Sequence, residues 1–306
     1  MKKFLLKRFL ANFFNLWIIL TLTFILTKIV PGDPFSDEMH ISPQAILILK
    51  KHYHLDRSMM FQYGQCLKNF FTWNYGSSLT YPNRTTGQII FSAFPVSMKL
   101  GLAALTLALF IGLPIGIYSG MQTSRKKILY FLIGFCIASA VPYFTLAAIL
   151  QYIFAFKYSF LPLSGWGNLS HMILPVITLA FFPCTLIARF TQVATKDVMQ
   201  ETFISAAYAK GLSSFTIMHR HIFPFAILPV ISYSSVLFTG LLTGSFIVET
   251  MFGIPGIGCW FVNAVGNRDY PLIMGLTIFY GTLLVSLSLL ADVIYCLIDP
   301  RLRRSI

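Results

Sequence analysis

The chain has 306 residues and a formal net charge of +13, with 56% hydrophobic and only 11% charged residues. A soluble domain carries about 25% charged residues, so this composition excludes an ordinary soluble enzyme and makes lipid the solvent for much of the surface. The basic charge sits in short groups between apolar runs rather than in one basic domain, which excludes a typical nucleic-acid-binding protein.

A helix needs about 20 apolar residues to cross about 30 Å of hydrocarbon, and six runs are read as such helices. The first covers about residues 9–30. Lys2, Lys3, Lys7 and Arg8 precede it, and Lys28 near its end is expected to snorkel outward. Its apolar core is too long for a signal peptide and no small-x-small cleavage site follows, so it is read as a retained helix. Residues 31–97 form one long connection, rich in aromatic and turn residues such as Trp73, Tyr75, Gly76, Tyr81, Pro82 and Asn83. It reads as a small folded cap, either packing on the helix ends or docking a partner. The second and third runs cover about 98–120 and 129–156. In the second, Gly112, Gly116 and Gly120 recur every four residues around Pro114. Small residues at that period let helix backbones approach closely; a hinge is the alternative. The fourth run, about 172–188, is short. Residues 189–226 make the longest internal connection, and the last two runs cover about 227–248 and 272–298. Gly240 and Gly244 repeat the small-residue spacing in the fifth.

Positive charge sets the orientation. Fourteen Lys and Arg fall in the N-terminal stretch, the 121–127 turn, the 189–226 connection and the tail, against one each in the two short alternating connections, Lys157 and Arg268. Both termini are therefore expected to face the cytoplasm. The long 31–97 connection carries five, but a connection of that length translocates largely regardless of charge.

Chemistry is sparse. Cys136, Cys184 and Cys296 lie in apolar runs, where Cys packs as a small hydrophobe. Cys66 and Cys259 lie in polar segments and could pair. No CxxC, HExxH or GxSxG pattern occurs, and His52 and His54 have no carboxylate or Cys cluster beside them. No catalytic or metal-binding residues, and no cofactor, are expected. No Walker A pattern is present, so ATP would have to be hydrolysed by another chain. Asp292 is the clearest ionisable residue inside a run, about two turns before Asp299-Pro300-Arg301. It is read as a structural residue reaching water or a basic partner, with a pathway role as the alternative.

The 189–226 connection reads helix, turn, helix. Its first helix ends Ser205-Ala206-Ala207-Tyr208-Ala209-Lys210. Gly211 is placed as the C′ stop, Leu212 as the apolar contact after the cap, and Ser213 as the next N-cap. The small face of Ala206, Ala207 and Ala209 would let this helix end sit deep in a groove of another protein, where it could transmit a rigid push. An amphipathic surface helix without a partner is the plainer reading.

At this segment the chain resembles the permease subunits of ABC importers. Their signature of Glu-Ala-Ala, three residues, Gly and a later Ile-x-Pro is matched by Ser205-Ala206-Ala207, Gly211 and Ile222-Phe223-Pro224. Ser205 stands where the signature has Glu, and Tyr208 where the peptide branch often has Arg. Pro31-Gly32-Asp33-Pro34, His54-Leu55-Asp56, Tyr75-Gly76-Ser77-Ser78-Leu79, Glu249-Thr250-x-Phe252, Pro255-Gly256-x-Gly258, Arg268-Asp269-Tyr270-Pro271 and Asp299-Pro300-Arg301 narrow the resemblance to the B-type subunit of dipeptide and oligopeptide permeases, along the whole chain.

The resemblance implies an all-α integral membrane protein with six transmembrane helices in the type I ABC importer permease fold. It divides the chain into an N-terminal helix and periplasmic connection (1–93), a permease core (94–298) holding the coupling loop 189–226, and a cytoplasmic tail (299–306). Ser205, Ala206, Ala207, Lys210, Gly211, Leu212, Ile222 and Pro224 are the expected ATPase-coupling residues; no substrate-pathway residues stand out. The implied partners are a second, homologous permease subunit, two ATPase subunits, a periplasmic or lipid-anchored binding protein, a peptide substrate and lipid of the bacterial inner membrane. A permease for nickel or another small solute shares these motifs. A secondary transporter or channel without an ATPase is the alternative of another class, and an intramembrane enzyme is opposed by the missing nucleophile and metal patterns.

Overall fold

The computed structural model describes residues 2–29, 51, 53–72, 76–81, 83–244 and 246–298. Of residues 2–7, 9, 232, 235, 243, 244 and 291–298 it describes the backbone alone. Among the described residues the chain is helical, with an isolated β-bridge between Ser77 and Thr85. Five stretches are long and apolar enough to cross a membrane: Leu10–Ile29, Thr86–Gly120, Leu169–Met199, Ser214–Ile231 and Tyr270–Leu290. A pair of helices, Arg125–Ala140 and Tyr143–Lys157, bent by 90°, passes the same test together and brings the number among the described residues to six if it is counted as one span. The motifs Pro31-Gly32-Asp33-Pro34 and Asp299-Pro300-Arg301, together with Tyr75 and the side chain of Asp292, lie outside the described residues.

The chain packs as two units. One comprises Lys2–Pro95 with Cys259–Val285. It holds α1 (Lys2–Ile29), α2 (Met59–Thr72), the start of α3 (Thr86–Gly120) and the first turns of the last helix. Leu20, Met274 and Ile278 form its buried centre, and α2 lays Tyr63, Cys66, Leu67 and Phe70 against it. The folded cap expected in the long connection therefore contains an amphipathic helix whose apolar side meets α1. Lys28 does not snorkel outward. Its Nζ turns inward to donate to Gln62 Oε1 at 2.5 Å and lies 5.3 Å from the centre of the Tyr270 ring. The amide and two aromatic faces there offer the ammonium a better site than open lipid. Cys66 and Cys259 do not form the disulfide that the sequence allowed.

The other unit comprises Val96–Gly258 with the helix from Ser286 onward. In α3 the buried residues Leu100, Ala104 and Ala108 run on into Gly112, Gly116 and Gly120, one face repeating every four residues. That face meets α6 (Leu169–Met199). A Cβ on Gly112 would lie 2.8 Å from the Cys184 carbonyl, one on Gly116 2.6 Å from that of Ala188, and one on Gly120 2.7 Å from that of Gln192. The glycines are therefore packing residues that bring two backbones together over three turns. Gly240 is different: nothing lies within 4 Å of its Cβ position in this chain.

The third apolar run is two helices rather than one. Pro142 has no N–H, and it forces Val141 out of the helical region to φ −79° and ψ 116°. The chain turns there between α4 (Arg125–Ala140) and α5 (Tyr143–Leu150). A π-helical turn, Gln151–Lys157, continues α5, and the Gln151 amide donates to the carbonyls of Leu163 and Met251, each at 3.1 Å. The fourth run is longer than its apolar core suggests. α6 has 31 residues because polar turns extend it to Met199, with Pro175 and Pro183 accommodated inside it.

Candidate functional site

α6 hands the chain directly to the segment singled out by sequence. Gln200 and Glu201 turn it into α7 (Thr202–Ala209), followed by α8 (Ser214–Ile217), a π-helical turn Met218–Ile222 and α9 (Phe223–Gly244). The turn between α7 and α8 has the expected caps. Gly211 sits at φ +75°, where only glycine is free of strain. Its N–H donates to the Tyr208 carbonyl at 2.9 Å, and the Leu212 N–H donates to that of Ala207 at 3.3 Å. These are the two bonds of a Schellman motif. Ser213 Oγ accepts from the Thr216 N–H at 3.3 Å and caps α8.

A small apolar cluster holds this hairpin. Ile204, Ala207, Ile217, Ile222 and Ala226 are buried together, with Met121, Ala194, Val198 and Met199 packed around them. Ala207 and Ile222 are thus internal. The small face expected to point outward is split: Ala206 and Ala209 are exposed, while Ala207 turns into the chain's own cluster, because a contact three residues after Ile204 lies on the same side of a helix. Ser205, Lys210, Gly211, Leu212 and Pro224 are exposed. Leu212 retains 37% exposure and so does not close over the cap as an apolar lid. With Tyr208 and Phe215, at 43% and 68% exposed, it leaves an apolar rim around the turn. Sequence reading missed Ile204 and Ile217, although their spacing to Ala207 and Ile222 carries a helical signal, and it missed Phe215, which lies at an unspecified position of the motif between Gly211 and Ile222.

Two buried carboxylates organise the motif segments before the last helix, α11 (Tyr270–Ile298), which follows α10. Here α10 is the pair Phe246–Met251 and Ile257–Gly266, joined through Gly253 at φ +62°. Glu249 is fully buried, and its Oε2 accepts from the Gly258 N–H at 2.8 Å. Asp269, also fully buried, accepts through Oδ1 from the Leu272 N–H at 3.2 Å and so caps α11. Its Oδ2 accepts from the Thr80 N–H at 3.2 Å and from the Ser78 hydroxyl. The Arg268-Asp269-Tyr270-Pro271 and Ser77-Ser78-Leu79 motifs are therefore one structural unit. Burial pushes the Tyr53 phenol above its ordinary value, and the Asp269 carboxylate adds to this; Tyr53 donates from its hydroxyl to the Ser78 carbonyl at 3.3 Å. Among the described residues no group of three or more His, Cys, Asp or Glu could hold a metal ion.

Comparison with known proteins matches this arrangement along its length. The family described as "Binding-protein-dependent transport system inner membrane component" matches residues 112–304, and its N-terminal companion, "Binding-prot-dependent transport system membrane comp, N-term", matches residues 1–85. The chain is 36% identical to the dipeptide transport system permease protein DppB of Bacillus subtilis, over 99% of this chain and 98% of that one. It is 38% identical to the oligopeptide transport system permease protein OppB of Salmonella typhimurium, over 99% of this chain and 100% of that one. Among solved structures, an inward-facing form of the MetNI methionine ABC transporter superposes with a TM-score of 0.55 at 15% identity, covering 69% of this chain and 96% of that one. At that identity the likeness concerns the fold alone.

Proposed function

We propose a function from one premise: the chain belongs to the family of binding-protein-dependent transport system inner membrane components. It is a multi-pass permease subunit of an ABC importer in the bacterial inner membrane, and its substrates are dipeptides or oligopeptides. The observation that carries the peptide reading is identity of 36–38% over 99% of the chain with permeases named for those substrates.

The subunit works within an assembly. A second, similar permease completes the pathway, two ATPase subunits hydrolyse ATP, and a periplasmic or lipid-anchored binding protein delivers the peptide. This chain carries no cofactor of its own. Both termini and the α7–α8 hairpin face the cytoplasm, as the distribution of Lys and Arg supports. The capped hairpin is the ATPase contact. Its turn is held by the Gly211 motif and its back by the Ile204–Ile222 cluster, so it moves as a rigid piece with the end of α6. A push on it reaches the α3–α6 pair through contiguous helix, which suits a switch between inward-open and outward-open states.

Co-expression with its ATPases, second permease and binding protein, followed by reconstitution, tests this. ATP hydrolysis should rise when binding protein loaded with a di- or oligopeptide is added. Stimulation by nickel with none by peptides would replace the peptide reading. Uptake driven by an ion gradient without ATPase subunits would overturn the importer reading altogether.

A further inference from the structure

Beside Lys28 lies a cavity of about 340 Å³ that the coupling mechanism does not use. Its polar wall carries Gln62, Gln65 and Asn69 of α2, and its apolar floor is Leu79, Met274 and Ile278. Lys28 closes one side, and no carboxylate occurs among the described lining residues. The ammonium has three N–H donors, and Gln62 Oε1 takes one of them at 2.5 Å. The cavity thus has one fixed positive charge, several amide groups and an apolar base. A half-buried cation in such a place gains most from an anion with several acceptor oxygens.

We infer that this cavity binds the phosphate headgroup of an anionic phospholipid. Lys28 stands in the last turn of α1, at the end of the 20-residue apolar stretch Leu10–Ile29, which is headgroup depth for a spanning helix. On the opposite side of α1 Leu22, Ile25, Leu26 and Ile29 are 55%, 45%, 59% and 68% exposed, so the helix presents an apolar surface up to the level of Lys28. The phosphodiester oxygens accept from Lys28 Nζ, while the carbon skeleton of the lipid covers the apolar floor. A soluble phosphate would satisfy the cation but leave that floor unused. The lipid is therefore the source of the phosphate. Its bound headgroup ties the end of α1 to α2 and to the first turns of the last helix.

The test uses the full chain, extracted from membranes in mild detergent, stripped of lipid and titrated with phosphatidylglycerol or phosphatidylcholine under native mass spectrometry. The expected result is about fivefold tighter retention of phosphatidylglycerol, the effect of one lysine at an anionic headgroup. Lys28→Gln should bring the two lipids level, and Lys28→Arg should keep the preference. A second readout needs no variant: Cys66 lines the same cavity, so phosphatidylglycerol should slow its alkylation in the native chain while phosphatidylcholine does not. Equal retention of both lipids, undiminished preference in Lys28→Gln, or protection of Cys66 by glycerol 3-phosphate as complete as by the lipid would each overturn the proposal.

Discussion

Ser97 and Glu249, 152 residues apart, share a buried hydrogen bond: Ser97 Oγ donates to Glu249 Oε1 at 2.7 Å. The same hydroxyl accepts from the Ile257 N–H at 2.9 Å, while Glu249 Oε2 accepts from the Gly258 N–H at 2.8 Å. One carboxylate and one hydroxyl thereby satisfy two of the first N–H groups of the helix Ile257–Gly266, where the helix dipole favours negative charge. The glycines around them are required by space. A Cβ on Gly256 would lie 2.5 Å from the Glu249 carboxyl carbon and from Ser97 Oγ, and one on Gly258 2.6 Å from Phe246 Cα. The motif Glu249-Thr250-x-Phe252-x-x-Pro255-Gly256-x-Gly258 is thus a carboxylate with its seat.

Removing that carboxylate leaves the Gly258 N–H and the Ser97 hydroxyl buried without their acceptor. Glu249→Ala should cost about 3 kcal/mol and lower the Tm of the purified chain in detergent by roughly 5–10 °C. Glu249→Gln keeps one acceptor oxygen and should lose about half as much. Equal Tm values for all three proteins would show that the clamp contributes nothing to stability.

The small-residue spacings predict opposite outcomes at two glycines. Gly116→Val would place its branched carbon against Thr191 and the Ala188 carbonyl, both backbone-anchored, and should separate α3 from α6. The expected result is a loss of folded protein in the membrane fraction or a Tm drop beyond that of Glu249→Ala. Gly240→Ala meets nothing within 4 Å and replaces glycine with the best helix former, so the Tm should hold or rise by at most a few degrees, the equivalent of about 1 kcal/mol of helix propensity. A tolerated Gly116→Val would remove the close-crossing account.

Features that depend on local covalent geometry were legible in the sequence. The runs at 9–30, 98–120, 172–188 and 272–298 foretold spans, whereas the 227–248 run meets the span Ser214–Ile231 only at its start; the Gly211 turn was readable because a positive φ leaves glycine as its trace. The bend at Val141–Pro142 was not, since Pro175, Pro183 and Pro229 sit inside helices that continue; what separates them is tertiary packing. The inward turn of Lys28 depends on Gln62, 34 residues away. Ala207 could not be assigned to the inner face because an all-small stretch has no apolar asymmetry of its own. The Ser97–Glu249 pair lay hidden for the same reason as Ser78–Asp269: the partners meet only after the helices have packed.

Cys66 offers a prediction in pH. Burial pushes its thiol up to about 11, so the neutral form dominates well above the ordinary thiol value of about 8.5. The thiolate is the nucleophile. Alkylation of Cys66 by N-ethylmaleimide at pH 8 should therefore be slower than that of free glutathione by about two orders of magnitude, from the difference in thiolate fraction. The rate should keep climbing tenfold per pH unit through pH 10, where glutathione has levelled off. A Cys66 rate that saturates near pH 9 would contradict the burial seen here.

The hairpin carries the last prediction, in two variants chosen to separate its fold from its contact. Gly211→Val must hold a β-branched residue at φ +75°, which costs about 1–2 kcal/mol or more in that region and breaks the Leu212 and Gly211 capping bonds. Uptake by the assembled importer should fall at least tenfold while the chain still inserts, because the six spans do not depend on the turn. Phe215→Ser removes only an exposed ring, 68% accessible, that meets the His219 ring edge-on with the centroids 4.4 Å apart. Its Tm should stay within about 1 °C, as for most surface substitutions, yet ATPase subunits should co-purify less well and uptake should fall. Full uptake in Gly211→Val would remove the rigid turn from the mechanism. Undiminished ATPase binding in Phe215→Ser would move the docking surface away from the apolar rim of Tyr208, Leu212 and Phe215.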